Sequence, residues 1–382
     1  MRRTGIFCLY TPSGKVDTTI IYTLKALREV VEYLIIVVNG YIERKNDLSN
    51  YADAIHIREN VGFDVGAYTD IILYTSHIEQ IVKSDELVLC NSSFYGPFIS
   101  FKRIFNEMEN SDADFWGISS SEKNLIQHIQ SYFLVFRRSI LESGELFRYL
   151  GDRVDKKELD YFSVCSIYEN GLFWTLKNAG YRFDAYRRNI VCDNYLNPYG
   201  SVKIDEIPIL KRKMFSKEFY QRKKAVSALA YVKKTYHYDI ESILENAFKI
   251  YGIDLTNEMI EVESNEVVKK DLIHDNEMVT REEIERFISV QKKVFIYGCG
   301  MVARMVFSCF FFYEGNPCLE GFVVSDNQTI IEKYFQGYPI YKFSEIKNRR
   351  DVALVVALNR DNTKEVYSQL KCMENVKFLW KC

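Results

Sequence analysis

Long apolar runs are missing from this chain of 382 residues. Nothing approaches the roughly 20 apolar residues needed to span a bilayer, and the longest candidate, around Val306 to Tyr313, is far too short. The opening MRRTGIFCLYTPSG carries two arginines, but it turns into a strand and a turn before any apolar region of signal-peptide length. A cytoplasmic chain is expected. An excess of one charge sign is also missing: 50 Lys and Arg stand against 52 Asp and Glu. No global field therefore favours nucleic acid, and an anionic surface can be met only by a local patch. The nine cysteines are scattered singly, with no CxxC pair and no metal-ligand spacing. Cys8, Cys90, Cys165 and Cys309 sit inside apolar runs, where a free thiol packs as a small hydrophobe. That argues against a disulfide frame and for a reducing compartment. Internal repeats and low-complexity tracts are absent as well.

What remains is an ordinary globular balance in a chain too long for one core, which implies two domains joined by a connector. Aromatics reach 15% of residues, enough for either a dense core or a sugar-stacking groove, the core reading being the commoner use of such rings. The first two hundred residues alternate strand and helix signals. Ile6–Tyr10 is a short strand ending in the Pro12-Ser13-Gly14 turn, and a helix is expected over Thr18–Glu32. Tyr33–Val38 is a continuous apolar strand of the kind buried on both faces of a parallel sheet, closed by Asn39-Gly40. Ala54–Ile57, Glu86–Cys90, Phe133–Phe136 and Arg182–Phe183 follow as strands, with a helix over Asp70–Ile81. Strands alternating with helices mean crossover units and a mostly parallel sheet, so the fold class is α/β. From Lys211 to about Gln291 the pattern turns helical and charged, with a linker over Val262–Glu277, and a new strand–helix unit begins at Lys293. The expected domains are 1–210, a helical connector 211–290, and 291–382.

Three segments of the first domain carry the chemistry. Arg58-Glu59-Asn60-Val61-Gly62-Phe63-Asp64-Val65-Gly66-Ala67-Tyr68 lies between a strand and a helix. Its glycines allow close backbone approach, and a helix N-terminus favours a diphosphate, with Asp64 and Asn60 suited to ribose or sugar hydroxyls. A plain strand–helix turn with a polar cap fits the same residues. Asn91-Ser92-Ser93 stands at the carboxyl end of a buried strand, where open α/β sheets bind ligands. Glu169, in Tyr168-Glu169-Asn170-Gly171-Leu172, is either a helix-end charge or a general base. His128 is a contact candidate beside Gln130, or else a hydrogen-bonded structural histidine. Arg137 and Arg138 could offset a leaving diphosphate, or form a solvated pair.

Taken in order, ENVGFDVGAY, ELVLCNSSFYGP, DFWG, HIQSYFLVFRR and YENGL resemble the rhamnan synthesis protein F family, over roughly residues 1–250 and including Pro208–Lys213 and Tyr238-Asp239. The resemblance implies a GT-A-like domain, a nucleotide-sugar donor and a bacterial cell-surface polysaccharide product. It also implies that Glu169 is the catalytic base. Its donor-binding set is Tyr10, Asn39, Asn60, Gly62, Asp64, Gly66, Asn91, Ser92, Ser93, His128 and Gln130. The Asn91 segment takes the place of the acidic DxD motif. The family usually shows an Asp where this chain has Ser92. Mg2+ or Mn2+, the cofactor the motif would hold, prefers carboxylate oxygens, so Ser92 leaves the metal ligands unknown. The expected reaction is inverting transfer of a sugar, rhamnose from dTDP-rhamnose above all, to a hydroxyl of a lipid-linked glycan.

The last ninety residues carry Val294–Tyr297 running into Gly298-Cys299-Gly300-Met301-Val302-Ala303, with Asp326 after the next strand, Gly321–Val324. A strand entering G-x-G-x-x-A and a helix is the dinucleotide fingerprint. The length supports about half of a complete Rossmann fold, so Gly298, Gly300 and Asp326 mark either a second nucleotide site or a Rossmann-like docking domain. An NAD-dependent oxidoreductase or epimerase would need a Tyr-x-x-x-Lys pair, and none follows the motif. A non-catalytic scaffold is the other alternative, suggested by Ser92 and opposed by the presence of Glu169. The basic-aromatic stretch Lys211–Lys234 suits either the inner face of an anionic membrane or a solvated face.

Overall fold

In the computed structural model, residues 1–121, 127–153, 164–188, 195, 197–259, 279–312, 318–371 and 373–380 are described. Two units divide the chain: Met1–Glu122 with His128–Ile273, and Lys123–Gln127 with His274–Cys382. The linker expected over Val262–Glu277 lies outside the described residues.

In the first unit the strands are β1 (Arg3–Leu9), β2 (Tyr33–Asn39), β3 (Ala54–Arg58), β4 (Glu86–Asn91), β5 (Phe94–Tyr95), β6 (Phe115–Ser121), β7 (His128–Ile129), β8 (Phe133–Arg137), β9 (Phe183–Arg187) and β10 (Leu210–Lys211). The main sheet runs β3-β2-β1-β4-β8-β6-β7, with β9 against β6. β1 is parallel to both β2 and β4, β2 to β3, and β6 to β9. β8 runs the other way between β4 and β6, and β7 is antiparallel to β6. The apolar run Leu34–Val38 is completely buried in β2 because helices cover both faces of a parallel sheet. The helix Thr18–Arg28 supplies one such cover through Ile20, Leu24 and Leu27, and Asp17 caps it by accepting from the Ile20 amide. Phe101–Met108, capped by Ser100, supplies another through Phe101, Ile104, Phe105 and Met108. The fold is α/β with a mostly parallel sheet. Among the described residues no helix is long and apolar enough to cross a membrane.

Three local expectations change. The helix expected over Asp70–Ile81 starts seven residues earlier and breaks, as Phe63–Tyr74 and Ile78–Val82. Thr75 is extended there, and its hydroxyl donates to the Ile71 carbonyl while accepting from the His77 amide, which ends the helix. The first helix stops at Arg28 instead of Glu32, because the Val30 and Val31 amides both turn back to the Leu27 carbonyl. The DFWG motif begins a full strand, β6, in which Gly117 leaves room for Ile129 and the Phe133 carbonyl.

The helices expected as a connector, Arg222–Tyr236 and Glu241–Tyr251, pack through Val226, Leu229 and Ile243 onto Tyr95 and Phe98 of the first unit. In the second unit the strands are β11 (Val294–Tyr297), β12 (Leu319–Val324), β13 (Tyr334–Phe335), β14 (Tyr338–Lys342), β15 (Ala353–Val356) and β16 (Val376–Phe378). Their order is β13-β14-β12-β11-β15-β16, and all but β13 are parallel to their neighbours. Five parallel strands in the order 3-2-1-4-5 form more than the half fold that the length suggests.

Candidate active site

β1, β2, β3 and β4 all end at one edge of the sheet, and the chain reverses its direction of travel between β1 and β4. Such a switch point opens a crevice beyond the carboxyl ends of the strands. Ser92, just past β4, spans it. Its hydroxyl accepts from the Tyr10 amide at 3.0 Å and lies 3.3 Å from the Tyr10 carbonyl, while its own amide donates to the Cys8 carbonyl. The Ser92 side chain therefore ties the two loops together at their backbones.

The Asn60 loop is held from below by a residue that sequence reasoning passed over. Arg58 donates to Asn39 Oδ1 at 2.6 Å, to Asp70 Oδ2 at 2.6 Å and to the Val61 carbonyl at 2.7 Å. Asn39 in turn donates to the Phe63 carbonyl at 2.7 Å, which makes it a brace for the loop. Gly62 and Phe63 are both left-handed, with φ of 72° and 53°. The second is an unusual conformation for a bulky side chain, of a kind costing about 1–3 kcal/mol and concentrated at functional sites. Gly66 is required sterically, since a β-carbon there would strike the Val61 carbonyl oxygen. Asn60 is exposed at the loop's tip, and Tyr10, Tyr41 and Phe63 leave large aromatic surfaces exposed along the same edge.

Asp64 follows on the first helical turn. Its Oδ1 accepts from the Val65 amide at 3.0 Å and its Oδ2 from Asn91 Nδ2 at 2.7 Å. Asn91 Oδ1 accepts from the Ser93 amide and hydroxyl at 3.1 and 2.6 Å, and Lys211 Nζ donates to the Ser93 hydroxyl at 3.0 Å. A continuous chain thus runs from the Lys211 ammonium through Ser93 and Asn91 to the Asp64 carboxylate. Burial pushes the Asp64 carboxyl above the usual carboxylate range, the charge of Glu169 adds to this, and the Asn91 and Val65 hydrogen bonds and the Lys211 charge oppose it. Glu169 stands within this electrostatic reach. It lies on a π-helical turn, Cys165–Gly171, a form of helix frequent at functional sites. Its Oε1 accepts from the Ser131 amide at 3.3 Å and hydroxyl at 2.6 Å, and among the described residues Oε2 accepts nothing. His128 Nε2 lies 3.0 Å from Gln130 Nε2, on the segment that leads directly into Ser131. Below them the Tyr68 and Tyr168 rings pack at 5.7 Å, both fully buried, and burial raises both phenols.

The expected residues Tyr10, Asp64, Asn91, Ser92, Ser93 and Glu169 therefore meet around one crevice, and Arg58, Ser131 and Lys211 join them. Lys211 was legible only as part of the Pro208–Lys213 motif and of the basic-aromatic stretch Lys211–Lys234, not as a site residue. The arginine pair does not join them. Arg137 closes β8 opposite Glu86, the first residue of β4, and binds Glu86 and the Met108 carbonyl, while Arg138 binds Asp85. The reversed direction of β8 carries both to the opposite edge of the sheet. The Asn91–Ser93 segment does not fit Mg2+ or Mn2+ either. The hydroxyl of Ser92 is engaged by Tyr10, Asn91 Oδ1 is engaged by Ser93, and no carboxylate lies in the segment. Among the described residues no group of three or more His, Cys, Asp or Glu could hold a metal ion.

A cleft of about 810 Å³ adjoins the loops after β1 and β2, lined by Ser13, Lys15, Arg44, Asp47, Asn246 and Lys249 among others, and by none of the expected donor residues. In the second unit Gly298, at φ 121°, is needed because a β-carbon would lie 2.7 Å from the Ala357 carbonyl oxygen. Asp326 accepts from the Ser344 amide at 2.8 Å, which holds its carboxyl below the usual range. Its Oδ1 is thus used on the first turn of the helix Phe343–Ile346.

Among characterised proteins, Virulence protein VirA of Vibrio anguillarum is 29% identical over 182 residues, covering 47% of this chain and 58% of that protein. Uncharacterized protein y4gN of Sinorhizobium fredii is 24% identical over 149 residues, 38% of each chain. The chain thus matches little more than half the length of the first of these relatives and well under half of the second. The apo-form glycosyltransferase GlyE of Streptococcus pneumoniae TIGR4 aligns with a TM-score of 0.34 at 11% identity, over 91% of this chain and 97% of that one, a score too low to carry inference. The model of Rhamnan synthesis protein F matches residues 34–362, well past the 1–250 that the motifs covered and into the second unit. The chain belongs to the rhamnan synthesis protein F family.

Proposed function

We propose that the protein is a GT-A-like glycosyltransferase that moves a sugar from a nucleotide donor to a hydroxyl of a lipid-linked bacterial cell-surface polysaccharide, with inversion. The family's name, rhamnan synthesis, favours rhamnose from its dTDP donor. The observation that carries the reading is the approach of two carboxylates at the switch point of the sheet: Asp64, bonded to Asn91, and Glu169, anchored by Ser131, near enough for its charge to be felt at Asp64. Asp64, with the Asn60 loop and the exposed Tyr10 and Phe63 rings, holds the donor. Glu169, anchored through Oε1 by Ser131, presents Oε2 to the acceptor hydroxyl. That oxygen attacks the anomeric carbon, its proton passes to Glu169, and the nucleoside diphosphate leaves with the electron pair of the broken bond. The cleft beside Lys15 and Arg44 offers room for a second substrate. Nucleotide sugars place the reaction in the cytoplasm, and a lipid-linked acceptor would bring the protein to the inner face of the membrane.

Glu169→Gln tests the assignment. A general base contributes about 10²–10⁴-fold, so turnover with dTDP-rhamnose, or with whichever donor a thermal-shift screen selects, should fall by about that factor. Donor affinity should stay nearly unchanged, since glutamine preserves size and the bonds from Ser131. Near-normal turnover would return Glu169 to a structural role.

A further inference from the structure

We propose that Lys211 supplies, from the chain itself, the positive charge on the donor's diphosphate that a divalent cation would supply in a site with a DxD motif. The inference rests on the glycosyltransferase reading and takes its start from the misfit between the Asn91–Ser93 segment and a metal ion. Backbone pairing fixes Lys211 in place. β10 lies antiparallel to β5 with Lys211 opposite Phe94, and the next amide, that of Arg212, donates to the Ser93 carbonyl at 3.0 Å. This sets the ammonium over the turn after β4, 3.0 Å from the Ser93 hydroxyl and 4.2 Å from the centre of the Tyr132 ring.

Arg212, one residue on, is turned away. It donates to Asn246 at 2.8 Å and to Thr19 at 2.7 Å, and lies 3.6 Å from Asp17. β10 ends at Lys211 and the chain turns into a short 3-10 helix at Arg212, so the sequence Lys211-Arg212 gives one cation to the crevice and one to the framework. Within the crevice the charge of Lys211 is felt at the Asp64 carboxyl. An ammonium carries three donors, and lysine binds phosphate as a point charge. In the transfer step the bond between the anomeric carbon and the diphosphate oxygen breaks, the electron pair stays on that oxygen, and Lys211 meets the developing charge without giving up its proton.

The test is calorimetric titration of the full chain with dTDP, UDP and GDP in EDTA, with the matching nucleosides followed by ligand-observed NMR. The wild-type protein should bind at least one diphosphate in EDTA, with affinity essentially unchanged when Mn2+ replaces EDTA. Lys211→Met should weaken that diphosphate by about 10- to 100-fold, the usual range for losing a charged hydrogen-bond partner, and leave the nucleoside and the melting temperature unaffected. Lys211→Arg should restore most of the affinity, and Lys211→Gln serves if the methionine variant folds poorly. Unchanged diphosphate affinity in the folded variants overturns the role of Lys211, as does wild-type binding that vanishes in EDTA and returns with Mn2+. In either case the glycosyltransferase reading stands. Failure of the wild type to bind any nucleoside diphosphate, with or without Mn2+, overturns both.

Discussion

Asp64 shows how the site sets function against stability at a single side chain. Burial raises its carboxyl in the folded protein, so folding disfavours the charged form that donor binding would use. The sign follows from linkage. A group whose folded pKa is raised stabilises the fold while protonated, and that contribution is lost as pH rises through the raised value. Once the pH has risen through the raised value, Asp64 is therefore a cost. Asp64→Asn, which can still accept from Asn91, should raise the melting temperature at pH 7, and the gain should shrink as the pH falls through the raised carboxyl towards 3.8, the ordinary Asp value. The same variant should lose donor binding. Melting curves across that range with no pH-dependent difference would show that the carboxylate is solvated enough to be neutral to stability. Ser92 is the contrasting case. It looked like a lost metal ligand, whereas its hydroxyl holds Tyr10, and its amide Cys8, in register across the crevice.

The elements show which parts of the sequence were readable. Parallel strands were legible wherever burial on both faces wrote a continuous apolar run, as in Leu34–Val38 and Leu87–Cys90. β6 was not, because FWGISSS ends in serines, of which Ser119 and Ser120 are buried by pairing with β7, β8 and β9 and not by their own polarity. The helix after β3 was placed late because its two glycines read as a loop, whereas Gly62 is the N-cap and Gly66 lies in the first turn. The candidate site was legible as three separate motifs. That Arg58, Ser131 and Lys211 complete it depends on tertiary approach from residues up to 118 positions apart in sequence, which no local pattern records. Gly66 tests the helix start directly. Gly66→Ala would drive a methyl group into the Val61 carbonyl, a backbone atom with little freedom to yield. Such overpacking typically costs about 1–3 kcal/mol, and because Asp64 lies one turn away, donor affinity should fall with it. A variant as stable and as tightly binding as wild type would mean that the loop relaxes freely and does not position Asp64.

At the scale of the whole molecule, each unit builds its cores from its own residues: Phe7 to Ile209 and Tyr95 to Met259 in the first, Val279 to Leu379 and Phe295 to Leu370 in the second. Every residue assigned to the donor or to the base lies in the first. A chain shortened to end at Glu277 should therefore melt cooperatively and bind the preferred nucleoside diphosphate as the full chain does. Residues 278–382 alone should fold but show no NAD binding, because Asp326, the residue that would hold ribose, is occupied by the Ser344 amide. Both fragments are read by circular dichroism and calorimetry, so loss of fold is separated from loss of binding. A folded first unit without nucleotide affinity would mean that the nucleotide belongs to the second unit. The Gly298 approach to Ala357 would then be preparation for a phosphate and not for packing.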